Sequence, residues 1–286
     1  MKVLITGKTG YISLSLIKWL NMRFSECEIT AMSLRNGVPE TLRGYDVVVH
    51  LAAIVHEKES SIGEELYFTV NRDLTKELFE KSIKCGVSQF VFFSTMAVYG
   101  AESSIKDKVI INESTICNPK TFYAKSKYEA ELYLLSNSNR INLAIVRPPM
   151  VYGENCPGNY AKLETLAQKI AVFPYVENER SMIHVNNLCE LVRLIIKNSS
   201  SGIFFPQDLE YTNTSKLVQE LGIKHKKYIA LNKILGKGVS FIDTPLLRKM
   251  LGNLVYDKEL SNHFDFKYVV RKHRVREKGQ QWDFKL

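Results

Sequence analysis

Leu4-Ile5-Thr6-Gly7-Lys8-Thr9-Gly10-Tyr11-Ile12 is the stretch on which the fold turns. The β-branched run Lys2–Thr6 reads as a strand, and Tyr11–Asn21 has the apolar spacing of a helix. Gly7 permits the tight turn between them. Gly10 lets the backbone approach a pyrophosphate seated on the positive end of the helix, as in a dinucleotide site. A ligand-free surface turn is the competing reading of such glycines. Ser13 stands where a third glycine is more usual, which predicts a slightly wider gap between helix and strand.

Outward from this turn, short β-branched runs alternate with longer amphipathic stretches, the pattern of βαβ units. Glu28–Met32, Val47–Leu51, Phe90–Ser94 and Leu143–Arg147 read as further strands, and Pro148-Pro149 ends the last of them. Leu66–Cys85, with apolar residues at Leu66, Val70, Leu74, Leu78 and Ile83, reads as a long helix, and Tyr123–Ser136 as another. The class is therefore α/β, a doubly wound parallel sheet. Beyond residue 150 the periodicity weakens. Glu154–Tyr160 and Phe173–Arg180 read as loops over a site, Asn187–Lys197 as a helix and Gly202–Phe205 as a return to the sheet. From about residue 206 short, irregular elements are expected. The division is a dinucleotide-binding domain at 1–150 and a smaller, interleaved C-terminal substrate-binding lobe at 151–286, ending in a basic tail at 267–286.

The 286 residues are 45% hydrophobic and 24% charged, as in a globular enzyme. No apolar run approaches the roughly 20 residues that span a bilayer, and Met1–Thr6 enters a strand instead of a signal peptide, so a cytoplasmic protein is expected. Cys27, Cys85, Cys117, Cys156 and Cys189 are scattered without C-x-x-C spacing, which favours neither disulfides nor a metal site. The formal net charge is +9, and the tail alone holds seven Lys/Arg against two Asp/Glu. A nucleic-acid face within the fold is thus not expected. Attraction to a polyanionic substrate or an acidic membrane surface is the milder alternative.

Tyr123 and Lys127 form a Y-x-x-x-K pair, and residues four apart share one helical face. A free tyrosine titrates near ~10, and a fixed cation beside it is expected to lower that value and suit the phenol to proton exchange. Ser94 and Thr95 end the strand before this helix, so hydroxyls, phenol and ammonium can meet at the crevice where doubly wound folds bind ligands. Chance spacing on a solvent-facing helix is the competing reading. After the second strand, Thr30–Asn36 contains no acid that would bind an adenosine 2′-hydroxyl. Ser33 and Arg35 can instead hold a 2′-phosphate, which favours NADP(H) over NAD(H).

Thr6-Gly7-x-x-Gly10-Tyr11-Ile12, Asp46–Ala53, Asn71, Ser94-Thr95-x-x-Val98-Tyr99-Gly100, Tyr123-x-x-x-Lys127 and Arg147–Gly153 occur in one order over roughly residues 1–200. In this the chain resembles the extended short-chain dehydrogenases/reductases, the nucleotide-sugar epimerase and dehydratase group with a Rossmann fold. The resemblance implies Tyr123 as acid/base, Lys127 on the nicotinamide ribose and Thr95 on the substrate oxygen, with Met96 beside it. It places Gly7, Thr9, Gly10, Tyr11, Ile12, Leu51, Ala52, Ala53, Asn71, Ser94 and Pro148 on the cofactor, and Asn159 and Arg180 on the substrate diphosphate. It also implies a homodimer paired through helices Leu66–Cys85 and Tyr123–Ser136. His50 and His184 are expected to be packed structural residues, and His56 to open a polar loop, Glu57–Glu64, near the nicotinamide side. Asn186-Asn187 replaces an acidic pair common in relatives, so a role built on those carboxylates does not transfer.

Within that group His50–His56, Ser94–Gly100, Arg147–Met150, Cys156–Asn159, Pro206–Asp208 and Leu251–Tyr256 look like bacterial capsule and O-antigen ketoreductases. Those enzymes reduce the 4-keto group of a UDP-linked 2-acetamido-2,6-dideoxy-hexos-4-ulose to a UDP-N-acetyl-6-deoxyhexosamine. The alternatives are a UDP-hexose 4-epimerase with tightly held NAD, and a dinucleotide-binding scaffold without catalysis.

Overall fold

The computed structural model describes residues 1–55, 59–242, 244–262 and 267–270. Its first half runs β1 (Lys2–Thr6), α1 (Tyr11–Arg23), β2 (Glu28–Met32), β3 (Val47–His50), α2 (Glu59–Phe68), a π-helical turn (Thr69–Asp73), α3 (Leu74–Lys84), β4 (Gln89–Phe93), β5 (Ile110–Ile111), α4 (Phe122–Ser136) and β6 (Asn142–Val146). The second half runs β7 (Met150–Tyr152), α5 (Asn159–Lys169), β8 (Val172–Pro174), β9 (Met182–His184), α6 (Val185–Lys197), β10 (Gly202–Phe204), α7 (Thr214–Lys224), β11 (Ala230–Asn232), α8 (Lys233–Ser240), α9 (Pro245–Leu251) and β12 (Val255–Tyr256).

Six of these strands make one parallel sheet in the order β10-β6-β4-β3-β1-β2. Side chains alternate across it. Val3, Ile5, Val47, Val49, Val91 and Val146 pack against Leu16 and Leu20 of α1 and Leu188 and Val192 of α6. Leu4, Val48, Phe90, Phe92 and Ile145 pack on the other face against Leu78 and Phe79 of α3 and Ala130 and Leu134 of α4. Both faces are covered, which is why these strands read as continuous apolar runs. Each such side chain contributes ~1.5–3 kcal/mol by leaving water. The expected doubly wound sheet is present, and β10 carries the chain back into it after the lobe begins.

A separate apolar cluster gathers Tyr152, Tyr160, Leu163, Phe173, Leu217, Leu221 and Leu251. The small parallel pairs β7·β9 and β8·β11 contribute to it, while β5·β12 packs in another cluster with Val98 and Tyr99. Here the sequence reading needs correction. Glu154–Tyr160 is not all loop, because Asn159 begins α5, and Phe173–Arg180 contains the end of β8. The 11-residue α7 is a regular helix where only irregular elements were expected.

The long helix is also different. Helical structure begins at Glu59, inside the expected polar loop, with a kink at Gly63. The π-helical turn then shifts the buried face to Tyr67, Asn71, Thr75, Leu78, Phe79 and Ser82, while Leu66 is exposed. The five cysteines are all free thiols. No described helix is long and apolar enough to cross a membrane. His56 and the tail beyond Val270 lie outside the described residues.

Candidate active site

The chain leaves β1 toward β2 on one side and β3 on the other, so the strand order reverses between β1 and β3. Ligands bind at such a switch point, beyond the carboxyl ends of the strands. A cavity of about 1080 Å³ lies there, lined by Gly7 and Thr9 after β1, Leu51 and Ala53 after β3, Ser94, Thr95 and Met96 after β4, and Pro148 after β6. Gly7 has φ 77°, and a Cβ on it would stand 2.9 Å from the Ala52 nitrogen. Only glycine allows the two loops to meet so closely. No side chain caps the start of α1, and Gly10, Tyr11, Ile12 and Ser13 line the cavity, leaving that helix end to an anion.

Behind the cavity wall runs a chain of buried hydrogen bonds. The Leu51 and Ala52 amides donate to Thr6 Oγ1, both at 3.2 Å, and Thr6 Oγ1 lies 2.7 Å from His50 Nδ1. His50 Nε2 is 2.8 Å from Thr75 Oγ1, whose own proton goes to the Asn71 carbonyl at 2.8 Å. The Thr75 hydroxyl therefore accepts from His50, Nε2 carries the proton, and Nδ1 accepts from Thr6. His50 is neutral, as its depressed pKa requires: burial comes first and the nearby Lys127 second. Asn71 continues the chain, accepting from the Ile54 amide at 2.8 Å and donating to the Ile54 carbonyl and Ser126 Oγ, both at 3.1 Å. His50 is thus structural, and Asn71 shapes the 51–54 loop instead of lining the cavity.

One face of α4 carries Tyr123, Lys127 and Glu131 in successive turns, with Thr121 capping its start. Thr95 Oγ1 accepts from the Ala97 amide at 3.2 Å, and Thr95 and the Tyr123 phenol line the same cavity. Lys127 Nζ sits 4.2 Å from the Phe92 ring centroid. The electrostatics run opposite to the sequence expectation. Burial pushes Tyr123 up to about 12, against a smaller downward pull from Thr95. Burial also pushes Lys127 down to about 7, against the attraction of Glu131. Desolvation of each charged form outweighs pairing, a balance that spacing alone does not reveal. Glu131 is itself held by Arg147, whose Nε donates to both carboxylate oxygens at 3.1 Å, and Arg147 Nη1 donates to the Tyr99 hydroxyl at 2.9 Å.

Four buried polar atoms of cavity-lining residues, Tyr11 Oη, Ser13 Oγ, Ser94 Oγ and Lys127 Nζ, lack hydrogen-bond partners among the described residues. Together with the glycine turn they fit a dinucleotide, whose ribose and phosphate oxygens would satisfy them. Asn159, Arg180, Lys120, Arg248 and Lys249 line the same cavity. Arg180 Nη1 donates to the carbonyls of Lys249 at 2.7 Å and Gly252 at 3.3 Å, and no described carboxylate pairs with it. Burial lowers its pKa. Arg248 is 3.6 Å from Glu102.

The cavity thus unites Gly7, Thr9, Gly10, Tyr11, Ile12, Leu51, Ala53, Ser94, Thr95, Met96, Tyr123, Lys127, Pro148, Asn159 and Arg180. Ser33, Arg35, Ala52 and Asn71 are not among its lining residues. The Arg35 amide donates to Ser33 Oγ at 3.3 Å, in the loop after β2. Sequence reasoning missed Lys120, Arg248 and Lys249, which carry no motif. His184 accepts from the Asn186 amide at the start of α6, and buried Asn187 donates to Asp208 at 2.7 Å, so both are structural.

Residues 3–204 match the model of the NAD dependent epimerase/dehydratase family. The chain is 29% identical over 249 residues to UDP-glucose 4-epimerase of Vibrio cholerae, covering 77% of this chain and 75% of that protein. It is also 29% identical over 250 residues to N-acetyl-alpha-D-glucosaminyl-diphospho-ditrans,octacis-undecaprenol 4-epimerase of Escherichia coli O157:H7, covering 85% and 70%. Among solved structures, UDP-glucuronic acid 4-epimerase from Bacillus cereus in complex with NAD superposes with a TM-score of 0.69 at 18% identity, covering 93% and 92% of the two chains. With the sheet, the glycine turn and the phenol–ammonium helix in place, the chain belongs to the NAD-dependent epimerase/dehydratase family of nucleotide-sugar-modifying enzymes.

Proposed function

We propose that the chain is a nucleotide-sugar 4-ketoreductase that converts a UDP-2-acetamido-2,6-dideoxy-hexos-4-ulose to a UDP-N-acetyl-6-deoxyhexosamine for surface polysaccharide synthesis. The observation that carries this reading is the convergence of Thr95, Tyr123 and buried Lys127 on one cavity that Lys120, Arg180, Arg248 and Lys249 also line. A nicotinamide dinucleotide held by Gly7, Gly10, Ser94 and Lys127 would supply a hydride to the sugar C4, leaving negative charge on the carbonyl oxygen. Tyr123 delivers its proton to that oxygen while Thr95 donates a second hydrogen bond. Burial pushes the phenol up to about 12, so it is protonated at neutral pH and has a proton to give.

Residues 1–150 hold the dinucleotide in this reading, through Gly7, Gly10, Ser94 and Lys127, and 151–286 cover the sugar nucleotide. Arg180 offers its fork to the diphosphate and Asn159 assists. NADP(H) is favoured because Thr30–Asn36, at the end of β2, offers Ser33 and Arg35 and no acid. The exposed Leu132 and Leu135 on α4 suit a homodimer seam. The second reading is a 4-epimerase, favoured by the activities named for the Vibrio and Escherichia relatives. The two differ in cofactor traffic, since a reductase releases spent cofactor and an epimerase recycles it in place. Purified protein free of nucleotide that consumes NADPH with the 4-keto sugar, its product assigned by NMR, is the expected result. Stoichiometric retained NAD with no net NADPH consumption would overturn it.

A further inference from the structure

Helix α8 and the turn into α9 direct apolar side chains outward. Ile234 is 82% exposed, Phe241 84% and Leu246 73%, and Leu235 and Ile242 are half exposed. Positions 234, 235, 238, 241 and 242 share one helical face. Rolling the helix cannot hide that face, because a Cβ at Gly236 would stand 1.8 Å from the Tyr175 carbonyl oxygen, whereas one at Gly238 would meet nothing within 4 Å. Gly236 therefore fixes which side packs on the lobe. Within the same stretch Lys233, Lys237, Arg248 and Lys249 stand against a single acid, Asp243. Pro245, Arg248 and Lys249 of α9 also line the cavity, so the chain runs from this apolar face into the cavity wall.

We propose that this face docks the protein on an anionic lipid bilayer, with the mouth of the cavity turned toward the membrane. An amphipathic helix with a basic margin lies in the interface, its apolar side chains at the headgroup boundary. Each lysine or arginine near an anionic surface strengthens the attraction, within reach of the Debye length. A second copy of the chain is the poorer occupant, since a two-fold contact would bring the basic margins of both copies into one interface. The docking does not depend on which reaction the cavity performs.

Flotation of the full chain with phosphatidylcholine vesicles containing roughly one third phosphatidylglycerol tests it. The wild type is expected to float with these vesicles, to release as salt rises and to ignore pure phosphatidylcholine. The double variant Ile234→Asp, Phe241→Asp is expected to lose about tenfold or more in partitioning, with dinucleotide binding unchanged. The proposal is overturned if the wild type stays unbound or if the double variant floats equally. It is also overturned if only removal of residues 271–286 abolishes binding, or if light scattering shows that the double variant splits a dimer.

Discussion

Lys127→Met should trade activity for stability. Lys127 is 1% exposed, lacks a hydrogen-bond partner among the described residues and faces the Phe92 ring, while Glu131 is committed to Arg147. A fall from 10.5 to about 7 means that the charged side chain weakens the fold by ~5 kcal/mol wherever it is protonated in both states. Methionine removes the charge and keeps most of the packing. The sign follows from proton counting. Between the folded value of about 7 and the unfolded value of 10.5 the unfolded chain binds one more proton, so wild-type stability rises with pH across that window. The advantage of the variant should be greatest below pH 7, shrink by ~1.4 kcal/mol per pH unit and vanish above the unfolded value. Urea unfolding of both dinucleotide-free proteins across this range measures the difference directly. A difference that stays constant from neutral to alkaline pH, or a variant less stable than the wild type, would refute the reasoning.

Other perturbations separate chemistry from architecture. Tyr123→Phe should lower turnover by about 10²–10⁴-fold with little change in dinucleotide affinity, and stopped-flow nicotinamide absorbance with parallel titration reads both; near-normal turnover would remove the phenol from proton transfer. Gly7→Ala forces a Cβ against the Ala52 nitrogen at positive φ, so equilibrium titration should show dinucleotide affinity weakened by roughly tenfold, the equivalent of ~1–2 kcal/mol of backbone strain. Unchanged affinity would mean that the two loops can separate freely. Arg147→Met leaves the Glu131 carboxylate buried and unpaired, and denaturant unfolding should show a loss of about 3–5 kcal/mol; a loss below ~1 kcal/mol would show that the pair is solvated.

The sheet and the glycine turn were legible because strands covered on both faces are continuous runs such as Val47-Val48-Val49, and because Gly7 and Gly10 bracket a turn with one geometric solution. The Tyr123–Lys127 face was legible from spacing of four. Its electrostatics were not, because spacing reports direction and says nothing of how far water is excluded. The helix after β3 misled for another reason: its buried positions include Asn71, Thr75 and Ser82, polar residues that an apolar stripe cannot flag, and the π-helical turn moves the register. Arg248 and Lys249 reach the cavity from α9, through a lobe core assembled from segments between 152 and 251, so no local pattern announces them.

The relay through His50 ends at both extremities in backbone groups that cannot exchange roles, amides at Leu51 and Ala52 and a carbonyl at Asn71. Every proton between them is therefore assigned, and none can hop along the line in either direction. It acts as an insulating wall. In the proposed reaction, a hydrogen ion given up by Tyr123 would be replenished through the open chamber in front of it, and the pace of refilling should respond to whatever occupies that chamber and not to the solvent behind the sheet.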